Sequence, residues 1–236
     1  MDDQAFDAIV LAGGMGTRLR SAVPDRPKPL APIAGKPFLD YLLAHLQRVG
    51  VRRVILSIGY MGELIEAQYG TQFQALDLVY SKEPTPLGTG GALRQALQLS
   101  QTSHTLALNG DTLLQFDPRA FMTACQLAGK ALGIVTRHVD NTARYGRCEL
   151  TLDAVTAFGE KGMAGEGLIN AGVYSLRQDL FDDVVLPECF SFESEFIEPN
   201  LPKLAPYGCR TNAYFIDIGI PEDFERAQTE LPQLNG

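Results

Sequence analysis

Apolar residues come in short runs broken by glycine and polar punctuation, and their spacing changes between that of buried strands and that of amphipathic helices. Residues 6–11 form a brief apolar run that ends in a glycine turn and predict a buried first strand. Residues 37–46 carry apolar side chains at helical spacing, with Pro37 suited to the first turn and Gly50 to the stop. Residues 54–58 follow as a second buried strand, so this strand–helix–strand unit predicts a parallel pair with a right-handed crossover.

The alternation continues with a helix at 62–69, closed by Gly70, and a strand at 78–81. Residues 83–91 are too heavily punctuated by proline and glycine for regular structure and lead into a helix at 92–99. A strand at 105–108, a helix at 117–128 and a strand at 131–136 complete this half. From Arg147 the runs shorten: 147–152 and 154–158 read as an antiparallel hairpin, and 167–174 as a strand interrupted where a backbone must approach something. Residues 190–197 read as a core-facing helix without chemistry, and 213–219 as a last strand carrying Asp217, before a helix opened by Pro221. The pattern predicts an α/β fold: a Rossmann-like, doubly wound, mixed but mainly parallel sheet with a small antiparallel lobe. In such sheets ligands sit beyond the carboxyl ends of the strands.

Composition narrows the class. A chain of 236 residues with a net charge of −8 has no long basic tract for nucleic acid and no apolar run of membrane-spanning length. Asp2, Asp3 and Asp7 stand where a signal peptide would want positive charge, so a soluble cytoplasmic protein is expected. Cys125, Cys148, Cys189 and Cys209 form no C-x-x-C pair, which argues against a zinc site or a disulfide framework. His45 on a helix, His104 at a strand start and His138 in a polar connection read as structural.

The chemistry starts in the first turn. Gly13, Gly14 and Gly16 expose consecutive backbone N–H groups to one anion, and Arg18, Arg20, Arg26, Lys28 and Lys36 form a positive island in an acidic protein. The alternative is a tight turn beside a solvated basic face; the spacing is neither a dinucleotide fingerprint nor a P-loop. Asp111, in the Asn109-Gly110-Asp111 turn after an apolar strand, is a candidate magnesium ligand or an Asx-type turn. Asp217, embedded among apolar neighbours, is costly unless hydrogen-bonded or metal-bound.

Together, Leu11-Ala12-Gly13-Gly14-Met15-Gly16-Thr17-Arg18 and Arg26-Pro27-Lys28-Pro29-Leu30 resemble the signature of the sugar-nucleotidyltransferases, which join a nucleoside triphosphate to a sugar 1-phosphate. The resemblance covers most of the chain. It implies that Leu11, Ala12, Gly13, Gly14, Gly16, Thr17, Arg18, Gly88 and Asp111 bind nucleotide, and that Arg18, Lys28 and Asp111 act in catalysis. Asn109, Gly146, Glu160, Lys161, Asn170 and Gly172 would bind the sugar phosphate, and Asp111 and Asp217 would hold Mg2+. Glu160-Lys161 alone reads as a solvated surface pair. Where many members continue this dipeptide with proline, the chain has Gly162. The resemblance also implies one domain over 1–236, with 1–136 mainly nucleotide-binding and 137–236 mainly sugar-binding and carrying the last metal-ligand strand.

Residues 27–39 and 215–223 most resemble the heptose 1-phosphate guanylyltransferase branch of this family. The expected partners are therefore GTP and a heptose 1-phosphate, giving GDP-heptose and pyrophosphate. The alternatives within the class are a uridylyl- or thymidylyltransferase or a mannose 1-phosphate guanylyltransferase. Outside it stand a non-catalytic nucleotide-binding paralogue, disfavoured by the presence of Arg18, Lys28, Asp111 and Asp217, and a glycosyltransferase, which would favour an Asp-x-Asp pair. Nothing in the sequence reports oligomeric state.

Overall fold

A computed structural model describes residues 6–14, 16, 19, 23–145, 147–159, 162 and 164–234. The chain opens with β1 (Asp7–Leu11), then a small ladder of β2 (Pro32–Ile33) and β3 (Lys36–Pro37) ahead of α1 (Phe38–Arg48). Next come β4 (Arg53–Ile58), α2 (Gly62–Tyr69), β5 (Gln72–Phe73), β6 (Leu76–Lys82) and α3 (Gly88–Leu97). The middle holds β7 (His104–Asn109), β8 (Thr112–Leu114), α4 (Arg119–Leu127) and β9 (Leu132–Val139). A hairpin of β10 (Cys148–Thr151) and β11 (Ala154–Phe158) precedes the long β12 (Gly167–Arg177). A π-helical turn, Phe192–Ile197, runs into α5 (Glu198–Leu204), followed by β13 (Tyr207–Thr211), β14 (Phe215–Asp217) and α6 (Pro221–Leu234).

Ten strands make one sheet in the order β10-β11-β13-β9-β12-β7-β1-β4-β6-β5. Strands β7, β1, β4 and β6 are parallel neighbours, as the strand–helix alternation predicts. Strand β12 runs antiparallel between β7 and β9, and the β10–β11 hairpin extends the far edge. The expected antiparallel lobe is therefore continuous with the main sheet.

Period-two alternation fills both faces. Ala8, Val10, Val54, Leu56, Leu106 and Leu108 point into one core layer, whereas Ile9, Ile55 and Ala107 point into the other. Helix α1 covers the first layer with Leu39, Leu42, Leu43 and Leu46, the stripe its sequence spacing announced. The second layer is capped by α3 and a cluster of Phe181, Phe190, Phe192 and Phe196, with Phe181 and Phe196 rings 4.8 Å apart.

Three expectations need correction. Helix α3 begins at Gly88 instead of residue 92: Phe190 lies so close to Gly90 that only a glycine-rich first turn can pack there. His138 lies in β9, which continues past residue 136 to pair with β12. Residues 190–197 are not one regular core helix, since Phe192–Ile197 is π-helical and the segment also lines a cleft. Among the described residues, no helix is long and apolar enough to cross a membrane.

Candidate active site

The carboxyl ends of β1, β4 and β7 meet at the glycine turn. Ala12 N donates to Ser57 O at 2.8 Å, Gly110 N to Leu11 O at 2.9 Å, and Tyr60 N to Gly13 O at 3.3 Å. A Cβ on Gly13 would lie 2.6 Å from Glu83 Oε1 and 2.9 Å from Gly59 N, so this wall admits no side chain. Gly16 has φ of +57° and packs on Lys28, whose Cβ would be 3.2 Å from a Cβ at that position. The turn and Lys28 are thus one packed unit. Of the expected site residues, Thr17, Arg18, Gly146, Glu160 and Lys161 lie outside the described residues.

Pro27 and Pro29 flank Lys28 at the start of a single 3-10 turn, Lys28–Leu30. This stiff support aims the lysine inward: its side chain is 10 % exposed and Nζ donates to Asp111 Oδ2 at 2.6 Å, across 83 positions of sequence. Asp111 also accepts from Thr112 Oγ1 at 3.2 Å. Strand β14 pairs with β8 so that Asp217 stands opposite Thr112, and Ile218 N donates to Asp111 O at 3.0 Å. The two aspartates expected to share a metal are therefore brought side by side.

Asp217 Oδ1 accepts from Gly219 N at 2.7 Å, and Arg144 Nη2 lies 3.8 Å from its Oδ2. Arg144 is itself tied to Asp223, which Arg226 holds from the other side at 2.7 Å. Burial pushes the Asp217 carboxyl above its ordinary value, and the neighbouring charge of Asp111 pushes it the same way; Lys28 and Arg144 only partly offset this. A buried carboxylate with a second one beside it suits a hard divalent cation. Among the described residues no group of three or more His, Cys, Asp or Glu could form a complete metal cage. Two carboxylates plus phosphate oxygens and water is a donor set that magnesium accepts.

Three cavities adjoin one another here, all bordered by Leu11 and Thr89. The first, about 460 Å³, has walls of Gly13, Gly14, Tyr60, Pro84, Pro86, Gly88 and Ala92, with Glu83 as its carboxylate. The second, about 300 Å³, contains Ala12, Gly16, Lys28, Asn109 and Asp111. The third, about 340 Å³, is lined by Asp111, Asp217, Arg144, Tyr145, Asn170, Gly172, Tyr174 and Glu193. Leu11, Ala12, Gly13, Gly14, Gly16, Lys28, Gly88, Asn109, Asp111, Asn170, Gly172 and Asp217 consequently border one continuous cleft.

Two side chains differ from expectation in their company. Asn170 has its amide engaged within the protein: Nδ2 donates to Tyr174 Oη and Glu193 Oε1, both at 2.7 Å, and Oδ1 accepts from Gly172 N at 3.0 Å. Glu83, which sequence reasoning passed over, accepts from Ser57 Oγ at 3.1 Å and Leu87 N at 3.3 Å, and burial raises its pKa. Glu193 and Arg144 were passed over too. The only trace of Glu193 was a helix-start pattern, Ser191 with Glu195 four residues on; nothing in the sequence marked Arg144.

A glycine turn, a lysine and paired carboxylates at the strand ends of an open α/β sheet make the frame of a nucleotidyltransferase, and the chain belongs to the nucleotidyl transferase family, whose model matches residues 7–233. It is 43 % identical over 227 residues to the D-glycero-alpha-D-manno-heptose 1-phosphate guanylyltransferase of Aneurinibacillus thermoaerophilus, covering 96 % of this chain and 98 % of that protein. It is 40 % identical over 220 residues to the protein of the same description from Campylobacter jejuni, covering 93 % and 97 %. The crystal structure of HddC from Yersinia pseudotuberculosis, complexed with GMP-PN, matches with a TM-score of 0.83 at 38 % identity over 94 % of this chain and 98 % of that one.

Proposed function

We propose that the chain joins GTP to D-glycero-alpha-D-manno-heptose 1-phosphate, forming GDP-heptose and pyrophosphate. The observation that carries this reading is the Lys28–Asp111 contact: both residues line the second cavity, and Asp111 with Asp217 lines the third. The relatives' names supply the base and the sugar. Glu83 adds a physical argument for guanine: the N1–H and N2–H2 groups of that base are adjacent donors suited to a carboxylate, whereas uracil and thymine offer a lone N–H between two carbonyls. Each Glu83 oxygen keeps a further lone pair beyond its bond to Ser57 or Leu87.

In this reading a phosphate oxygen of the sugar 1-phosphate attacks the α-phosphorus of GTP. The bond from the α-phosphorus to the bridging oxygen breaks, and pyrophosphate leaves with the electron pair. The base and ribose occupy the 460 Å³ cavity, between the glycine turn and Gly88. Backbone N–H groups of the turn at Gly13, Gly14 and Gly16 face the phosphates, Leu11 and Ala12 line the nucleotide's path, and Lys28 neutralises charge at the transferred group. Thr17 and Arg18 join them on the strength of the family motif. The sugar lies against Asn109, Asn170 and Gly172, with Gly146, Glu160 and Lys161 assigned to it by the motif alone. Asp111 and Asp217 would hold a divalent cation, magnesium, which supplies charge neutralisation between the two negative reactants. The chain acts as a single domain whose two halves meet at the β7–β12 pair. Four free cysteines accord with a reducing cytoplasm.

A panel of nucleoside triphosphates against sugar 1-phosphates, read by pyrophosphate release with magnesium or with EDTA, tests the proposal. GTP with the heptose 1-phosphate should lead, and EDTA should abolish release. A preference for UTP or dTTP would overturn the guanylyl assignment. No release from any pair would overturn the reaction.

A further inference from the structure

Glu193 belongs to no motif singled out above, yet it is among the most deliberately held side chains in the cleft. Its Oε1 accepts from Asn170 Nδ2 at 2.7 Å and from the Tyr174 hydroxyl at 3.0 Å. None of the hydrogen bonds among the described residues reaches Oε2. The segment beneath it is pinned at several points. Ser191 Oγ accepts from Ser194 N at 3.3 Å, and Glu195 Oε2 accepts from Ser191 N at 2.6 Å, so the first turn is capped from both directions. Phe192 N donates to Thr89 Oγ1 at 2.9 Å, and the Phe192 ring meets Tyr174 edge-on at 5.1 Å.

The cavity that Glu193 lines is shared with the two aspartates. Asp111, which Lys28 contacts, and Asp217 would draw a phosphate with a divalent ion, whereas Glu193 is bonded to Asn170 and Tyr174. A carboxylate repels phosphate but accepts strongly from hydroxyl groups. Asn170 has both amide hydrogens engaged inside the protein, so within this trio the oxygen with no partner among the described hydrogen bonds is Glu193 Oε2.

Building on the sugar-phosphate reading above, we propose that Glu193 is the residue that accepts hydrogen bonds from the sugar hydroxyls, and that Asn170 and Tyr174 are positioning residues that orient its carboxylate. Ordering the acceptor in advance favours binding because little side-chain freedom is lost when the sugar arrives. Glu193→Gln inverts one end of this arrangement. The two donors of Asn170 and Tyr174 demand the amide carbonyl, which turns the NH2 toward the sugar.

The test is steady-state kinetics of the full chain with GTP and the heptose 1-phosphate, repeated with analogues that each lack one hydroxyl. Wild type should lose about 10- to 100-fold in kcat/KM on at least one deoxy analogue, the scale of one charged hydrogen bond. E193A should fall by a similar factor on the parent sugar and treat the parent and that analogue alike, with KM for GTP within about twofold of wild type. E193Q carries the same comparison if E193A fails to fold. Y174F, which keeps the carboxylate but removes one of its donors, should raise the sugar KM alone. If both Glu193 variants keep wild-type sugar KM and wild-type discrimination against every analogue, Glu193 serves only to satisfy buried Tyr174 and the proposal fails. That outcome differs from inactive wild type with every sugar 1-phosphate, which would overturn the reaction itself and the sugar assignment with it.

Discussion

Replacing Lys28 by Met removes the ammonium while keeping the methylene stem on which Gly16 packs, so the glycine turn retains its support. At 2.6 Å and an effective dielectric of about 20, the gross attraction to Asp111 is about 6 kcal/mol. Desolvation opposes most of this. Asp111 is 33 % exposed and can regain water when its partner is lost, so the net cost should lie between a surface pair and a fully buried one, about 1–3 kcal/mol. For a chain of this size that is a fall in Tm of about 2–12 °C, read by calorimetry in EDTA. Part of the fall should return on adding magnesium, because the same two carboxylates then meet a cation with no ammonium competing. Turnover should drop far more: losing one fixed charge at a transferring group costs about 10²–10³ in kcat. Initial rates of pyrophosphate release measure that term separately. Turnover within threefold of wild type would show that the ammonium does not act on the phosphates, and an unchanged Tm in EDTA would show that the contact does not hold the site together.

Two further substitutions probe the same cleft. Asp217→Asn keeps the acceptor for Gly219 N and removes a charge that burial and Asp111 disfavour. Because the folded carboxyl binds its proton more readily than the unfolded one, wild type loses stability as pH rises from the ordinary 3.8 through the raised folded value. In EDTA the variant should therefore match wild type at the acid end and exceed it at neutral pH, by about 2–4 °C in Tm for each 1 kcal/mol relieved, while turnover falls at least about 100-fold; a variant less stable at pH 7 than at acid pH relative to wild type contradicts this. Gly90→Ala gains helix propensity but drives Cβ into the buried Phe190 ring, so chemical unfolding should show a loss of about 1–3 kcal/mol and a raised KM for GTP, whereas a stabilised variant would show that α3 can shift without cost.

The parallel half of the fold was legible because its strands are buried on both faces and its crossover helices carry one apolar stripe. Both patterns are local. The start of α3 was not legible, because its glycines answer to Phe190, about a hundred positions away in sequence, and a propensity argument at residues 88–91 sees only helix breakers. Lys28, Asp111 and Asp217 could be named from motif and burial cost, but their contact depends on β14 pairing with β8 beside the first turn. Glu193 escaped for a related reason. A glutamate in an apolar, helix-like stretch looks like a solvated position until the pairing of its carboxylate with Asn170 and Tyr174 is seen.

That pairing also accounts for the irregularity of β12. In a regular strand residues four apart share a face but stand about 13 Å from each other along the chain, which keeps their polar ends on separate targets. Here the register with β9 shifts between Asn170 and Tyr174, Gly172 takes φ of +69°, and a side chain at Gly172 would run into Asn109. The irregularity bends the strand, so that Asn170 Nδ2 and Tyr174 Oη come within 2.7 Å and converge on the same oxygen of Glu193. It also lets Asn109, at the end of β7, press against β12 where the two halves of the sheet join. One glycine thus serves the seam and the proposed sugar pocket together, and the half of the protein that would hold the sugar is registered against the half that would hold the nucleotide by the same distortion that brings Asn170 and Tyr174 to Glu193.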